Sequence, residues 1–248
     1  MLQGKVAIIT GASRGIGRAT AELFVKNGAS VVITGRDESQ LREVTDGLNK
    51  DGEKRCVYLV GDSKDLSLPK RLFDLALEEF NKLDIIVCNA GMALRKPTLE
   101  MPIEEWNEVL EVNLTAPLVM AMTCLPHFRK QKYGKIVFTL SGAAKNPHLG
   151  ASPSYGASKA ALMYVTRHLA KEFIPENIYV NAVCPGPVDT DITHTWSAEH
   201  RARVVDNQLM GRLGMPEEIA APILFLCSDA SSYIVGECIA VNGGGSMD

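Results

Sequence analysis

Tyr155 and Lys159, in "SYGASKAAL" at 154–162, are the pair in this chain whose types and spacing most directly raise a question of chemistry. Four residues apart at the head of an alanine-rich stretch, they share one helix face, with Cβ atoms about 5–6 Å apart. A free tyrosine, with a pKa of about 10, is a poor base near neutral pH. A cation close by would favour its phenolate. The spacing by itself decides nothing, since composition supplies roughly 0.3 such pairs by chance. A solvated amphipathic pair would look the same.

A second candidate is "TGASRGIG" at 10–17, between an apolar strand pattern and a helical one. The missing side chains of Gly11, Gly15 and Gly17 let backbone approach a pyrophosphate, and the helix start offers free N–H groups with its positive dipole end. The spacing is G-x3-G-x-G, not the commoner G-x-G-x-x-G. NAD-binding turns place an acid about 20 residues further on, at the ribose 2′-hydroxyl. Here the second strand ends "VVITGRD", with Gly35 where that acid would stand and Arg36 after it. Arg36 with Arg14 could clamp a 2′-phosphate through charge-assisted hydrogen bonds, so NADP(H) is expected ahead of NAD(H). Asp37 keeps NAD(H) open.

These residues need elements to hold them. Short apolar runs alternate with helical patterns: "KVAIIT" then a helix near 15–27, "SVVITG" then 38–50, "CVYLVGD" then 68–81, and "DIIVCNAG". A long helical region over 103–131 follows, with Pro117 and Pro126 as expected kinks or breaks. Then come "GKIVFTLS", a helix at 154–173, "NIYVNAVCPG", a helix at 216–228, and "ECIAVNGG". Seven strands, several of them continuous Val/Ile runs, predict an α/β fold: a Rossmann-type doubly wound parallel sheet with helices on both faces. One domain over 1–248 is expected, with a substrate lid at about 187–215.

The bulk properties agree. The chain has 248 residues, 46% hydrophobic, with 26 basic and 29 acidic residues mixed to a net charge of −3. No basic stripe points to nucleic acid, and no uninterrupted apolar run approaches the ~18 residues of a membrane span. The opening "MLQGKVAIIT" enters a strand pattern directly, without the features of a secretory signal, so a soluble cytoplasmic protein is expected. Six scattered cysteines without a C-x-x-C pair read as buried reduced thiols. The five histidines form no ligand motif, and no catalytic metal is expected.

Together, "TGASRGIG" at 10–17, Asp62, "NAG" at 89–91, Asn113 in "EVNL", Ser141 in "TLSG", "YGASK" at 155–159 and "PG" at 185–186 resemble the short-chain dehydrogenase/reductase family, in its compact subclass. They occur in family order and span about residues 4–244. The resemblance implies ketone–alcohol interconversion with Asn113, Ser141, Tyr155 and Lys159 as catalytic residues. Tyr155 would be the acid or base, with Lys159 and the oxidised nicotinamide lowering its pKa. Lys159 would also hydrogen-bond the nicotinamide ribose. Ser141 would hold the substrate oxygen, and Asn113 a water relaying protons to Lys159. Cofactor contacts carried over are Gly11, Ser13, Arg14, Gly15, Ile16 and Gly17 in the turn, and Arg36 beside the ribose. Asp62 and Ser63 would meet the adenine, and Asn89, Ala90 and Gly91 the adenosine ribose side. Pro185, Gly186, Val188 and Thr190 would lie at the nicotinamide. A homotetramer is also implied.

Two departures stand out. Cys88 occupies a position where the family commonly has asparagine, and Ser141 to Tyr155 spans 14 positions where many members have 13. Substrate choice is expected in 92–102, 142–153 and 187–215, with Trp196, Leu149 and Met210 as an apolar wall and His148 and His194 as polar contacts. The whole pattern is similar to 3-oxoacyl-carrier-protein reductases. Arg129, Lys130 and Lys132 could dock an acidic carrier, but Glu176 stands where such enzymes often carry a base. Small ketones, sterols and sugar-like alcohols therefore remain open as substrates. A non-catalytic dinucleotide-binding regulator would be expected to have a broken Ser/Tyr/Lys set, and here the set is intact.

Overall fold

Val/Ile runs that are apolar on both faces are stable only when covered from both sides. The computed structural model, which describes residues 1–147 and 150–247, covers them in that way. The strands are β1 (Val6–Thr10), β2 (Ser30–Gly35), β3 (Cys56–Val60), β4 (Ile85–Cys88), β5 (Gly134–Thr139), β6 (Ile178–Pro185) and β7 (Cys238–Val241). All pair in parallel, in the order β3-β2-β1-β4-β5-β6-β7. Between β1 and β4 the winding reverses, and in such sheets ligands bind at that point, outside the carboxyl ends of the strands.

The covering helices are α1 (Gly15–Lys26), α2 (Glu38–Leu48), α3 (Leu68–Phe80), α4 (Ile103–Leu110), α5 (Ala116–Gln131), α6 (Pro153–Phe173), α7 (Asp191–His194), α8 (Ala198–Asp206) and α9 (Pro216–Cys227). Alternation along the strands divides the core in two. Ile8, Val32, Ile86, Phe138 and Ala182 face α3, α5 and α6 through Leu72, Cys124, Phe128 and Leu162. Ile9, Ile33, Val87, Val137 and Val183 face α1, α2 and α9 through Phe24, Leu41 and Ile223. Each fully buried aliphatic side chain contributes about 1.5–3 kcal/mol, so the two faces hold the sheet while its edge strands β3 and β7 stay partly open.

Three details differ from the sequence reading. The 103–131 region is continuous, but α4 and α5 are joined by a π-helical turn, Glu111–Thr115. Pro117, just beyond it, has no N–H for the Asn113 carbonyl. Pro126 breaks nothing: α5 runs through it, and Met122, whose carbonyl loses that bond, stands on the exposed face. The 187–215 segment, where the sequence pattern showed no regular element, contains α7 and α8. By length and composition, Ile103–Gln131 could cross a membrane. Its Val109, Met120, Ala121, Cys124, Leu125 and Phe128 are buried in the fold, as in a core helix.

Candidate functional site

β1 delivers the chain into the turn at Thr10. Gly11 (φ 64°) and Gly15 (φ 55°) take left-handed conformations that strain other residues. A Cβ on Gly17 would lie 2.2 Å from the Gly11 carbonyl oxygen, so this approach of α1 to the turn requires glycine. No side chain caps the start of α1, and no acidic residue lies in its first turn. By contrast, Asp37 caps α2 and Ser197 caps α8. The uncapped N–H groups around Ile16 and the glycine cradle fit the pyrophosphate of a dinucleotide.

The turn is tied to the end of β4. Thr10 Oγ1 accepts from the backbone N–H groups of Asn89 (3.1 Å) and Ala90 (3.0 Å). Asn89 Nδ2 donates to the carbonyls of Thr10 and Gly11, each at 3.1 Å. The Asn89 side chain therefore shapes the turn. On the β2 side, a Cβ on Gly35 would meet Ser13 Oγ at 3.2 Å. Arg36 is exposed there. Arg14 reaches the other way, pairing with Asp191 Oδ2 at 3.1 Å. Asp62 accepts the Lys64 N–H at 2.9 Å within its own loop, while Ser67 leads α3, so Asp62 is not that helix's cap. Ser63 lines a cavity of about 20 Å³ with Thr10, Cys88 and Ala90.

Ser141 follows β5, and Tyr155 and Lys159 occupy the first turns of α6. Ser141 Oγ accepts the Ala143 N–H at 3.2 Å and lies near enough to the Tyr155 hydroxyl to favour its ionised form. Burial pushes the Tyr155 phenol up, and the Ser141 contact pulls it part of the way back. Lys159 is 4% exposed, and its Nζ donates to the Thr139 carbonyl at 2.8 Å. Burial lowers its pKa from 10.5 to about 8, against the opposing effect of the Cys184 and Cys88 thiols. Its Nζ lies 5.9 Å from the Tyr155 ring centroid. Both groups are thus pushed toward their neutral forms by the same desolvation.

Asn113 is fully buried in the π-turn. Its Oδ1 accepts the Met92 N–H at 2.9 Å, and its Nδ2 donates to the Met92 carbonyl (2.8 Å) and Ser158 Oγ (3.1 Å). Ser158 in turn donates to the Tyr155 carbonyl at 2.7 Å. Gly91 lies between the Asn113 amide and the Lys159 amine: a Cβ there would be 3.2 Å from Asn113 Oδ1 and 3.4 Å from Lys159 Nζ. Cys88, in the family's asparagine position, is buried, with its thiol 3.9 Å from the Pro117 carbonyl and its pKa raised by burial to about 12.

β6 leads through Pro185 to Gly186, where a Cβ would lie 2.8 Å from Asn242 Cα. Val188 is buried and bridges in parallel to Gly214. Thr190 begins α7 and touches the turn, 3.3 Å from where a Gly15 Cβ would stand. In the 187–215 segment, Trp196 lies under Arg95 (4.7 Å) and edge-on to His200 (4.9 Å). His194 Nε2 is 3.0 Å from Asp189 Oδ1, and Met210 packs at Gly243. Both His194 and Met210 thus make contacts within the fold, to Asp189 and Gly243. His148 and Leu149 lie outside the described residues.

Sequence reasoning overlooked Thr10, Thr139, Ser158 and Met92 as supports. Thr10 heads the quoted turn and Ser158 adjoins Lys159, so both could have been noticed. Thr139 and Met92 act through backbone atoms, which no side-chain pattern reveals. All six cysteines are buried thiols.

The family model described as Enoyl-(Acyl carrier protein) reductase matches residues 11–246. The chain is 40% identical to the 3-oxoacyl-[acyl-carrier-protein] reductase FabG of Aquifex aeolicus, over 98% of both chains. It is 35% identical to that of Escherichia coli, over 98% of this chain and 97% of the relative. Among solved structures, a short-chain type dehydrogenase/reductase from Mycobacterium marinum superposes with a TM-score of 0.94 at 32% identity, covering 100% and 97% of the two chains. One described as an NAD(P) dependent gluconate 5-dehydrogenase from Beutenbergia cavernae, with bound NADP, gives 0.91 at 34% identity over 98% and 97%.

Proposed function

The chain belongs to the short-chain dehydrogenase/reductase family, and from that premise we propose that it is an NADP(H)-dependent enzyme interconverting a ketone and a secondary alcohol, with Tyr155 as acid and base. The observation that carries this reading is the convergence of the Ser141 hydroxyl, the Tyr155 phenol and the Lys159 ammonium at the carboxyl end of β5. When bound, the nicotinamide supplies the hydride for reduction or takes it in oxidation. Ser141 and Tyr155 hydrogen-bond the carbonyl oxygen, and the phenol gives its proton as negative charge develops there. Lys159 then favours the phenolate left behind. The Asn113 carbonyl, to which Pro117 can donate nothing, is the acceptor for a water leading to Lys159. Gly11, Ser13, Gly15, Ile16 and Gly17 hold the pyrophosphate. Arg14 and Arg36 supply the cations for a 2′-phosphate, and Asp62, Ser63, Asn89, Ala90 and Gly91 border the adenosine. Pro185, Gly186, Val188 and Thr190 border the nicotinamide.

The substrate class favoured by the relatives from Aquifex aeolicus and Escherichia coli is a 3-oxoacyl thioester. A second reading, small hydroxy compounds, is favoured by one contact. Glu176 pairs with Arg129 at 2.8 Å and lies 3.6 Å from Lys132, so its single negative charge already offsets part of the candidate carrier-docking patch. A cytoplasmic homotetramer is part of the proposal; Met122 on α5 and Tyr164 on α6 are exposed large side chains on the long helices it would use.

The test follows NADPH oxidation with 3-oxoacyl thioesters and small ketones, beside fluorescence titration of NADPH. Tyr155→Phe should lower turnover by about 10²–10⁴-fold while keeping NADPH affinity. Undiminished turnover in that variant, or a wild-type protein that binds NADPH and reduces none of the panel, overturns the reading.

A further inference from the structure

Arg14 stands between two anionic claims. Its Nη1 pairs with Asp191 Oδ2 at 3.1 Å, joining the head of α1 to the first turn of α7. Its charge also reaches Asp37, beside Arg36 at the end of β2. The carboxyl of Asp37 is held low mainly by hydrogen bonds from the Ser39 hydroxyl and the Gln40 N–H, with Arg14 adding a smaller share. The contact at α7 is reinforced by Thr190, whose Cγ2 lies 3.3 Å from where a Gly15 Cβ would stand.

We propose that Asp191 is a specificity-determining residue for the dinucleotide, because it competes with the ribose 2′-phosphate for the guanidinium of Arg14. The inference rests on the NADP(H) reading above. A guanidinium presents one planar fork, which a carboxylate or a phosphate can take bidentately. Asp191 takes one arm of it, through Nη1; a 2′-phosphate that takes the whole fork must displace that carboxylate and then bind with its negative charge still close by. NAD(H), which has a hydroxyl there, meets neither obstacle. The separation of 177 positions between the partners hides the competition from any local motif.

The 187–215 segment does not depend on Arg14 alone. Asp189 accepts from His194 Nε2 at 3.0 Å and pairs with Arg201 at 3.0 Å. Thr193 Oγ1 accepts the Thr190 N–H at 3.0 Å and donates to the Thr190 carbonyl at 2.8 Å, closing the first turn on itself. His194 Nδ1 lies 3.8 Å from Asp191 Oδ1. Freed from Arg14, α7 therefore keeps its internal bonds, and Asp191→Asn preserves the shape of the turn while removing the competing charge.

The experiment measures dissociation constants of NADPH and NADH by fluorescence titration for the wild type, Asp191→Asn, Arg14→Gln and the double variant at one salt concentration. Asp191→Asn should tighten NADPH by about three- to fivefold, the size expected for releasing an exposed ion pair, and leave NADH within about twofold. The gain should vanish in the Arg14→Gln background. If the wild type prefers NADPH and Asp191→Asn binds it no more tightly, the competition is refuted and the cofactor reading survives. Equal tightening of both dinucleotides, or a gain that persists without Arg14, also refutes it. A wild type with no preference for NADPH overturns the cofactor reading itself, and the inference with it.

Discussion

Lys159 donates its hydrogen bond to the backbone carbonyl of Thr139 at 2.8 Å, and its Nζ stands 5.9 Å from the ring centroid of Tyr155. β5 thus anchors the cation behind the phenol. Burial dominates both groups: the phenol is pushed up and the ammonium down to about 8. An anion forming at Tyr155 would restore the charge that burial disfavours on Lys159. The pair is built to be charged together during the reaction.

A buried ammonium lowers stability, and the sign can be worked out. Lys159 releases its proton near pH 8 when folded and near 10.5 when unfolded. Between those values the unfolded chain binds more protons, so this group makes stability rise with pH across the window and imposes its full cost below pH 8. Lys159→Met should therefore gain roughly 1–3 kcal/mol of unfolding free energy at pH 7, with turnover lost. The gain should shrink as pH rises through the same window. Urea titrations at pH 7 and about 9.5 measure it, and a destabilised variant at the lower pH contradicts the sign.

Gly91 and Gly47 should respond oppositely to alanine. At Gly91 the new methyl falls 3.2 Å from Asn113 Oδ1 and 3.4 Å from Lys159 Nζ, so one of those groups must shift by a few tenths of an ångström. Gly91→Ala should fold and lose on the order of tenfold or more in kcat, since small misplacements in a site are costly. Gly47, inside α2, has nothing within 4 Å of the added methyl. Gly47→Ala should stabilise by roughly 0.5–1 kcal/mol with unchanged kinetics. Steady-state rates and thermal melts of both variants decide this.

Asn113→Ala removes the side chain that satisfies both backbone groups of Met92. Leaving a buried donor unmet costs about 1–3 kcal/mol. Unfolding free energy should fall by that amount, and faster hydrogen exchange at Met92 should accompany it. Protection at Met92 equal to that of the wild type would show that the amide finds another partner.

Glu176→Lys frees Arg129 and adds a fourth cation to Arg129, Lys130 and Lys132. The KM for a substrate borne on an acidic carrier protein should fall several-fold at low ionic strength and return at high salt, while the KM for the same acyl group on a short thioester stays put. A wild-type enzyme that already strongly prefers the carrier-borne substrate, with no response to this substitution, would place docking elsewhere.

Local rules made part of this protein legible from its sequence. Short apolar runs set between helical patterns identified all seven strands, and the glycines at 11, 15 and 17 marked a turn that needs left-handed backbone and close packing. Helical spacing put Tyr155 and Lys159 on one face, because these preferences act over a few residues. The tertiary structure alone determined what those side chains meet. Lys159 finds a carbonyl 20 positions back, Asn113 a backbone 21 positions back, and Arg14 a carboxylate 177 positions on. Such contacts depend on strand order and on where α4, the π-turn and α6 cross the sheet. Backbone acceptors also look alike at every position, so sequence pattern cannot single them out.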